Sequence, residues 1–409
     1  MSSPYARPAA LFGAALVLLS LAAPLRAVAA PIPLSAALDR AQALSPLITA
    51  ARAELAAEQG RARQAGLSPN PEANLQSENI AGSGPYGGFG AAETTFSIGQ
   101  RLELGGKRRT RAAAAQAMVK AAELRLGVAQ ADLAQEVRAR YADALYADAR
   151  LALAREAAER AEGLAEIATT LVDAGREPPL RALRARTASQ EAASAVLIAR
   201  AEAAAAHRAL SALWSDPQPT LELVEQEFER LSPASIDPTV ALDVRLADAE
   251  RVAAEAAIER ERAVARPDLT IQAGVRRFEQ TGDQALVVGF TAPIPIRDRN
   301  QGNVAVARAD AMAAEARQRL ALVRAIRLVR DAEAALAAAN ARLGVLQAKT
   351  VPQAEEAVRL SRDGFQAGKF SLLDVLDAQG ALSAARNDLI AARLERAKAL
   401  AALERAAAQ

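Results

Sequence analysis

The sequence predicts a mainly α-helical fold with a small β part, built from a unit of helix, two strands and long helix that occurs twice. Three observations predict it. Landmarks recur at offsets of 196, 192 and 193 residues: Asn70-Pro71-Glu72-Ala73-Asn74-Leu75-Gln76 resembles Arg266-Pro267-Asp268-Leu269-Thr270-Ile271-Gln272, Leu102-Glu103-Leu104 matches Ile294-Pro295-Ile296, and Asp173-Ala174-Gly175 matches Gln366-Ala367-Gly368. No proline falls between Pro85 and Pro178, between Pro179 and Pro217, between Pro295 and Pro352, or after Pro352, and these gaps are filled with strong helix formers. Between the helical stretches the apolar period changes from about 3.6 to 2.

Taken in order, the chain opens with Arg7 and an apolar run from Ala9 to Ala23. At about 15 residues the run suits a signal-peptide core and falls short of the ~20 needed to cross a bilayer. With the small-residue site Ala27-Val28-Ala29 behind it, 1–29 reads as an export signal cut after Ala29 or Ala30. Residues 30–214 form the first repeat, with strands at about 72–80 and 93–104. In the second of these Phe96, Ile98, Leu102 and Leu104 alternate with Thr95, Ser97, Gly99, Arg101 and Glu103. From Gly106 to about Leu171 a single helix of roughly 100 Å is expected at ~1.5 Å per residue. A connector, 215–238, follows Trp214. Residues 239–409 form the second repeat, with strands at about 268–278 and 285–296; Leu286, Val288, Phe290, Ala292, Ile294 and Ile296 alternate, with Val287 an apolar exception on the other face.

Composition excludes several functions. Aromatic residues make up 3% of the chain, so the Ala-rich helices approach closely without filling a thick core, and a thin-walled helical tube is expected. Loss of Arg7 and Arg26 with the signal leaves 48 basic residues of the 50, against 48 acidic ones, and a balanced exported chain offers no footprint for nucleic acid. Cysteine is absent, which rules out disulfides and a lipidated N-terminal Cys. With one histidine, His207, and methionine only at positions 1, 118 and 312, tight coordination of a soft metal is not expected, and no cofactor is implied.

Strands of about 10 alternating residues separated by Gly-rich turns such as 82–88 are the pattern of a membrane barrel. Four strands cannot close one, and lipid does not tolerate open edges. Several protomers must therefore contribute strands to one barrel, and three would supply twelve, an acceptable even number.

Three stretches carry a family resemblance that covers nearly all of the mature chain: Gln100-Arg101-Leu102-Glu103-Leu104-Gly105-Gly106-Lys107-Arg108, Ala292-Pro293-Ile294-Pro295-Ile296-Arg297-Asp298-Arg299-Asn300-Gln301-Gly302 and Leu373-Asp374-Val375-Leu376-Asp377-Ala378. The chain resembles the TolC-type outer-membrane efflux family, and the first two stretches resemble its cobalt-zinc-cadmium resistance (CzcC-like) subgroup. The resemblance implies a trimeric 12-stranded outer-membrane β-barrel continued by a long periplasmic α-helical barrel, with 215–238 in its equatorial region. It also implies docking to a periplasmic adaptor and an inner-membrane resistance-nodulation-division pump.

Asp374 and Asp377 lie three apart and share a helix face just past the break at 364–370. The resemblance makes them a gate and selectivity ring at the periplasmic entrance, where rings of charge select ions by sign; a solvated helix face is the alternative. Where the drug-efflux members close with Tyr, Arg and Asp links, this chain has Phe365, Phe370 and Arg181, and the phenyl rings cannot make those polar contacts. Arg181 and Arg184 are the remaining lock neighbours. Gly105, Gly106, Lys107 and Arg108 mark a strand-to-helix junction at the membrane boundary, repeated by Arg297 and Arg299, with phospholipid headgroups of the outer membrane or plain solvent as their surroundings. The glycines are no phosphate loop, because Arg101 stands where that motif needs Gly and Arg108 follows Lys107. His207, in an Ala-rich run, reads as a surface helix residue rather than a ligand, and Trp214 as packing near the connector. No nucleophile, base and orienter cluster is visible, so no enzyme and no catalytic residue is expected.

The leading reading is therefore a passive exit duct for divalent heavy-metal cations. The same duct serving drug efflux or type I secretion is the runner-up, and a soluble periplasmic coiled-coil or adaptor protein the reading from another class.

Overall fold

The structure, a computed structural model, describes residues 31–216, 222–224 and 236–409. The export signal at 1–29 and most of the connector lie outside the described residues. In chain order the elements are α1 (Leu34–Leu44), α2 (Pro46–Ala65), β1 (Glu72–Glu78), β2 (Glu93–Leu102), α3 (Lys107–Asp173), α4 (Pro179–Ser211), α5 (Leu242–Val264), β3 (Leu269–Phe278), β4 (Gln284–Thr291), α6 (Gln301–Val345), α7 (Val351–Gln366) and α8 (Leu372–Ala406). A π-helical turn, Leu346–Thr350, joins α6 to α7.

The helix α3 runs unbroken for 67 residues, about 100 Å. It packs along α4, α5 and α8 through buried alanines such as Ala121, Ala142, Ala168 and Ala203, which let the helix axes approach. The thickest apolar cluster lies at mid-height, where Tyr141 is fully buried among Ile48, Val137, Leu210 and Trp214. Its hydroxyl donates to Ile32 O at 2.8 Å and accepts from Val224 N at 2.8 Å. Ile32 and Leu223 form a parallel bridge there, so one tyrosine ties the start of the described chain and a piece of the connector to the middle of α3.

The four strands form one antiparallel sheet in sequence order, and its outer edges, β1 and β4, have no strand partner among the described residues. Register places Leu75, Phe96, Ile98, Val275, Ile271, Leu286, Val288 and Phe290 on one face, and all of them are exposed. The opposite face carries Asn74, Gln76, Thr95, Ser97, Thr270, Gln272 and Arg276. Arg276 pairs there with Glu93 at 2.8 Å and Glu78 at 3.1 Å, linking three strands across the polar side.

Three strands stop earlier than the sequence reading has them. The last strand ends at Thr291 rather than 296, since Pro293 and Pro295 have no N–H to extend a ladder. At β1 the end comes at Glu78, because Asn79 and Ala81 turn the chain with φ of 58° and 57°. The end of β2 at Leu102 precedes the left-handed pair Gly105 and Gly106. His207 also differs from its reading as a surface residue: it is 14% exposed, and its Nε2 lies 2.8 Å from Asp148 Oδ2, bridging α4 to α3.

Candidate functional site

The far end of the helices from the sheet consists of two hairpin tips of the same design. After α3 the N–H of Gly175 bonds Val172 O and that of Arg176 bonds Leu171 O; after α7 the N–H of Gly368 bonds Phe365 O and that of Lys369 bonds Gly364 O. Both glycines have φ of 71°, the left-handed position that ends a helix at low cost only for glycine. The next helices start at Pro179 and Leu372. Arg181 and Asp374, and likewise Arg184 and Asp377, therefore stand at equivalent places, 193 residues apart like the two glycines. One tip presents arginines where the other presents aspartates.

Asp374 belongs to a reciprocal capping box. Its Oδ2 accepts from Ser371 N at 2.7 Å and Ser371 Oγ at 2.8 Å, and its own N–H reaches Ser371 Oγ at 3.4 Å. The Ser371 side chain and backbone bonds, with the positive charge of Arg181 nearby, hold the Asp374 carboxyl below its ordinary range. Arg181 itself forms an ion pair with Glu177. Asp377, one turn on, is exposed, and among the described residues neither it nor Arg184 has a hydrogen bond or ion pair. Phe365 is half-buried against Leu164, Ala168, Leu372 and Val375, so it is part of the tip's packing. Phe370 is half exposed and its ring packs against Gly364, where a Cβ would come within 2.1 Å of it. Thus Arg181 approaches Asp374, while Arg184 and Asp377 stay free. Ser371, Glu177 and Gly364 are contributors that the sequence reading missed; Ser371-x-x-Asp374 is the signal that reveals the first.

At the other end, the junction of sheet and helices is a bonded knot in both repeats. The N-cap residues of α3 and α6 are Gly106 and Asn300, both left-handed with φ of 77° and 58°. Lys107 pairs with Asp268 at 2.7 Å. Arg111 chelates Glu103 and also donates to Ala65 O and Leu67 O, fastening α2 to β2 and α3. In the second repeat Asn300 donates to Glu261 O at 2.8 Å and to Glu261 Oε2 at 2.9 Å, which holds that carboxyl below its ordinary range. Arg108 donates to Ser68 Oγ at 2.8 Å and Arg299 to Pro295 O at 3.3 Å, while Arg297 extends from the surface. Among the described residues no group of three or more His, Cys, Asp or Glu could hold a metal ion, and no helix is long and apolar enough to cross a membrane.

Comparison with known proteins completes the picture. The family described as "Outer membrane efflux protein" matches twice, over 37–215 and 241–409. The cobalt-zinc-cadmium resistance protein CzcC of Cupriavidus metallidurans is 31% identical over 380 residues, covering 88% of this chain and 86% of the relative. The nickel and cobalt resistance protein CnrC of the same organism is 34% identical, covering 75% and 73%. Among solved structures, CusC superposes with a TM-score of 0.79 at 19% identity over 91% of both chains, and VceC of Vibrio cholerae with 0.74 at 23% over 92% and 96%.

Proposed function

This chain belongs to the outer membrane efflux protein family, and from that premise we propose that three copies assemble into one duct for divalent heavy-metal cations. The duct is a channel of an efflux system and not an enzyme. The observation that carries the assembly is the sheet: an exposed apolar band along one face, two edges unpaired among the described residues, and too few strands to close. Pairing β4 of each protomer with β1 of the next removes every open edge. Residues 30–214 and 239–409 are the two repeats of the wall, with 215–238 as the connector, whose described residue Val224 bonds Tyr141. The metal cargo is supported by relatives that share most of this chain's length and are named for resistance to cobalt, zinc, cadmium and nickel.

In this reading the hairpin tips meet a periplasmic adaptor and an inner-membrane resistance-nodulation-division pump, which supplies the energy. Asp374 and Asp377 ring the entrance, with Arg181, Arg184, Phe365 and Phe370 around them. The junction at Gly105, Gly106, Lys107, Arg108, Arg297 and Arg299 lies at the membrane boundary.

Deleting the gene tests the cargo. Sensitivity to zinc, cadmium, cobalt or nickel should rise more than sensitivity to hydrophobic drugs. Loss of drug tolerance alone would move the assignment to the drug-efflux reading.

A further inference from the structure

Under the lower edge of the sheet, where α5 runs into β3 and β4 runs into α6, a groove of about 820 Å³ opens between the two connections. Arg101, Arg266 and Arg297 line it, all exposed and without a carboxylate partner among the described residues. Lys107 and Asp268, also in the wall, neutralise each other, and Asp298 accepts from Asn300 N at 2.8 Å. The rest is largely apolar, from Val264 to Pro293, Ile294, Pro295 and Ile296.

The two characters are segregated. Arg101 pairs in register with Thr270, and Thr270 with Thr291, on the polar face of the sheet. Ile294 and Ile296, 81% and 74% exposed, prolong the alternating row of Leu286, Val288 and Phe290 from the apolar face. The groove therefore leads from the membrane side to the polar side, and a molecule that fills it must be apolar at one end and anionic at the other.

We propose that this groove binds an anionic phospholipid, with acyl chains along Ile294, Ile296 and Phe290 and a headgroup phosphate among Arg101, Arg266 and Arg297. Guanidinium groups suit phosphate because their planar fork gives two parallel charge-assisted bonds. The apolar wall selects a lipid over a free anion, since it continues the surface that faces the bilayer. Both walls come from one protomer, between β3 and β4, so the site does not depend on the unpaired edges. The proposal rests on the reading of the apolar face as the lipid face.

Melting of the purified protein in maltoside micelles tests it, with added dioleoyl-phosphatidylglycerol, dioleoyl-phosphatidylcholine or glycerol 3-phosphate. Phosphatidylglycerol should give a saturating rise in melting temperature that shrinks with salt, and the other two should give much less. The rise should vanish in Arg101→Gln with Arg297→Gln, whose side chains make no bond that folding needs, and fall in Ile294→Ser with Ile296→Ser. Equal shifts from phosphatidylcholine, a full shift from glycerol 3-phosphate, or an undiminished shift in the arginine variant each overturn it. A chain that stays dispersed without detergent would sink the membrane reading itself; a detergent-dependent chain blind to headgroup charge sinks only the lipid site.

Discussion

Ser371 and Asp374 exchange hydrogen bonds at the start of α8, whereas Asp377 has no hydrogen bond or ion pair among the described residues. The two aspartates should therefore respond differently to neutralisation. In single-channel recordings, Asp377→Asn should remove most of the cation preference and of the block by trivalent ions, because in the proposed entrance ring a free carboxylate would act on passing ions directly. Asp374→Asn should chiefly loosen the tip, seen as faster amide exchange over 371–376; unchanged exchange with lost selectivity would reverse the roles. Since Asp374 has a lowered folded-state pKa, its stabilising bonds persist above the ordinary aspartate value near 3.8 and are lost as pH falls through the lower folded value. Exchange at the tip should thus stay flat with pH above that range, after correction for intrinsic rates, and rise only in stronger acid. Farther up, Tyr141→Phe should cost about 1–3 kcal/mol in denaturant unfolding, since the Val224 N–H and the Ile32 carbonyl lose one shared partner. The spacing of the two aspartates is legible in the sequence, and so is the capping pattern. What spacing does not carry is which carboxylate is already bonded. His207 fails for a similar reason: the four residues before it are alanines, while Asp148 comes from another helix.

The helices and strands themselves were legible because periodicity and proline placement are local signals. Their ends depend on backbone turns that composition marks only in part: glycine announces Gly105 and Gly368, but nothing in the alphabet announces left-handed Ala81. The sheet offers a sharp test at this scale. Val288→Arg, on the apolar face, should cost about 2–4 kcal/mol in membrane unfolding if it sits near mid-bilayer, whereas Asn74→Lys, on the polar face, should be close to neutral. Equal costs would mean that the face is not lipid-exposed. The π turn before Pro352 is a second element-scale feature. Proline has no N–H and its ring crowds the carbonyl four residues back, at Ala348, so the helix widens at Leu346–Thr350 to pass it. The same offset in the first repeat falls on Glu159, inside unbroken α3. Amide exchange should be faster at 346–351 than at 153–158, and Pro352→Ala should slow it.

For the whole molecule, duplication and alternation predict the class of architecture, and the offset of 193 pairs Arg181 with Asp374 across the repeats. The groove under the sheet was not legible, because it joins residues from 101, 264–270 and 291–300 that only the strand register brings together. Solubilised protein should run as a trimer in detergent, and a monodisperse monomer that needs none would contradict the barrel. The unpaired edges of β1 and β4 also have a genetic meaning. In the proposed trimer, a duct closed by three sheets would be only as sound as its weakest contributor, so one defective subunit would compromise two good ones. In a cell that expresses wild-type and strand-damaged but assembly-competent copies equally, about one complex in eight is wholly wild type when subunits mix at random. Such alleles should behave as dominant, and their severity should rise with dosage rather than track the stability of the isolated chain.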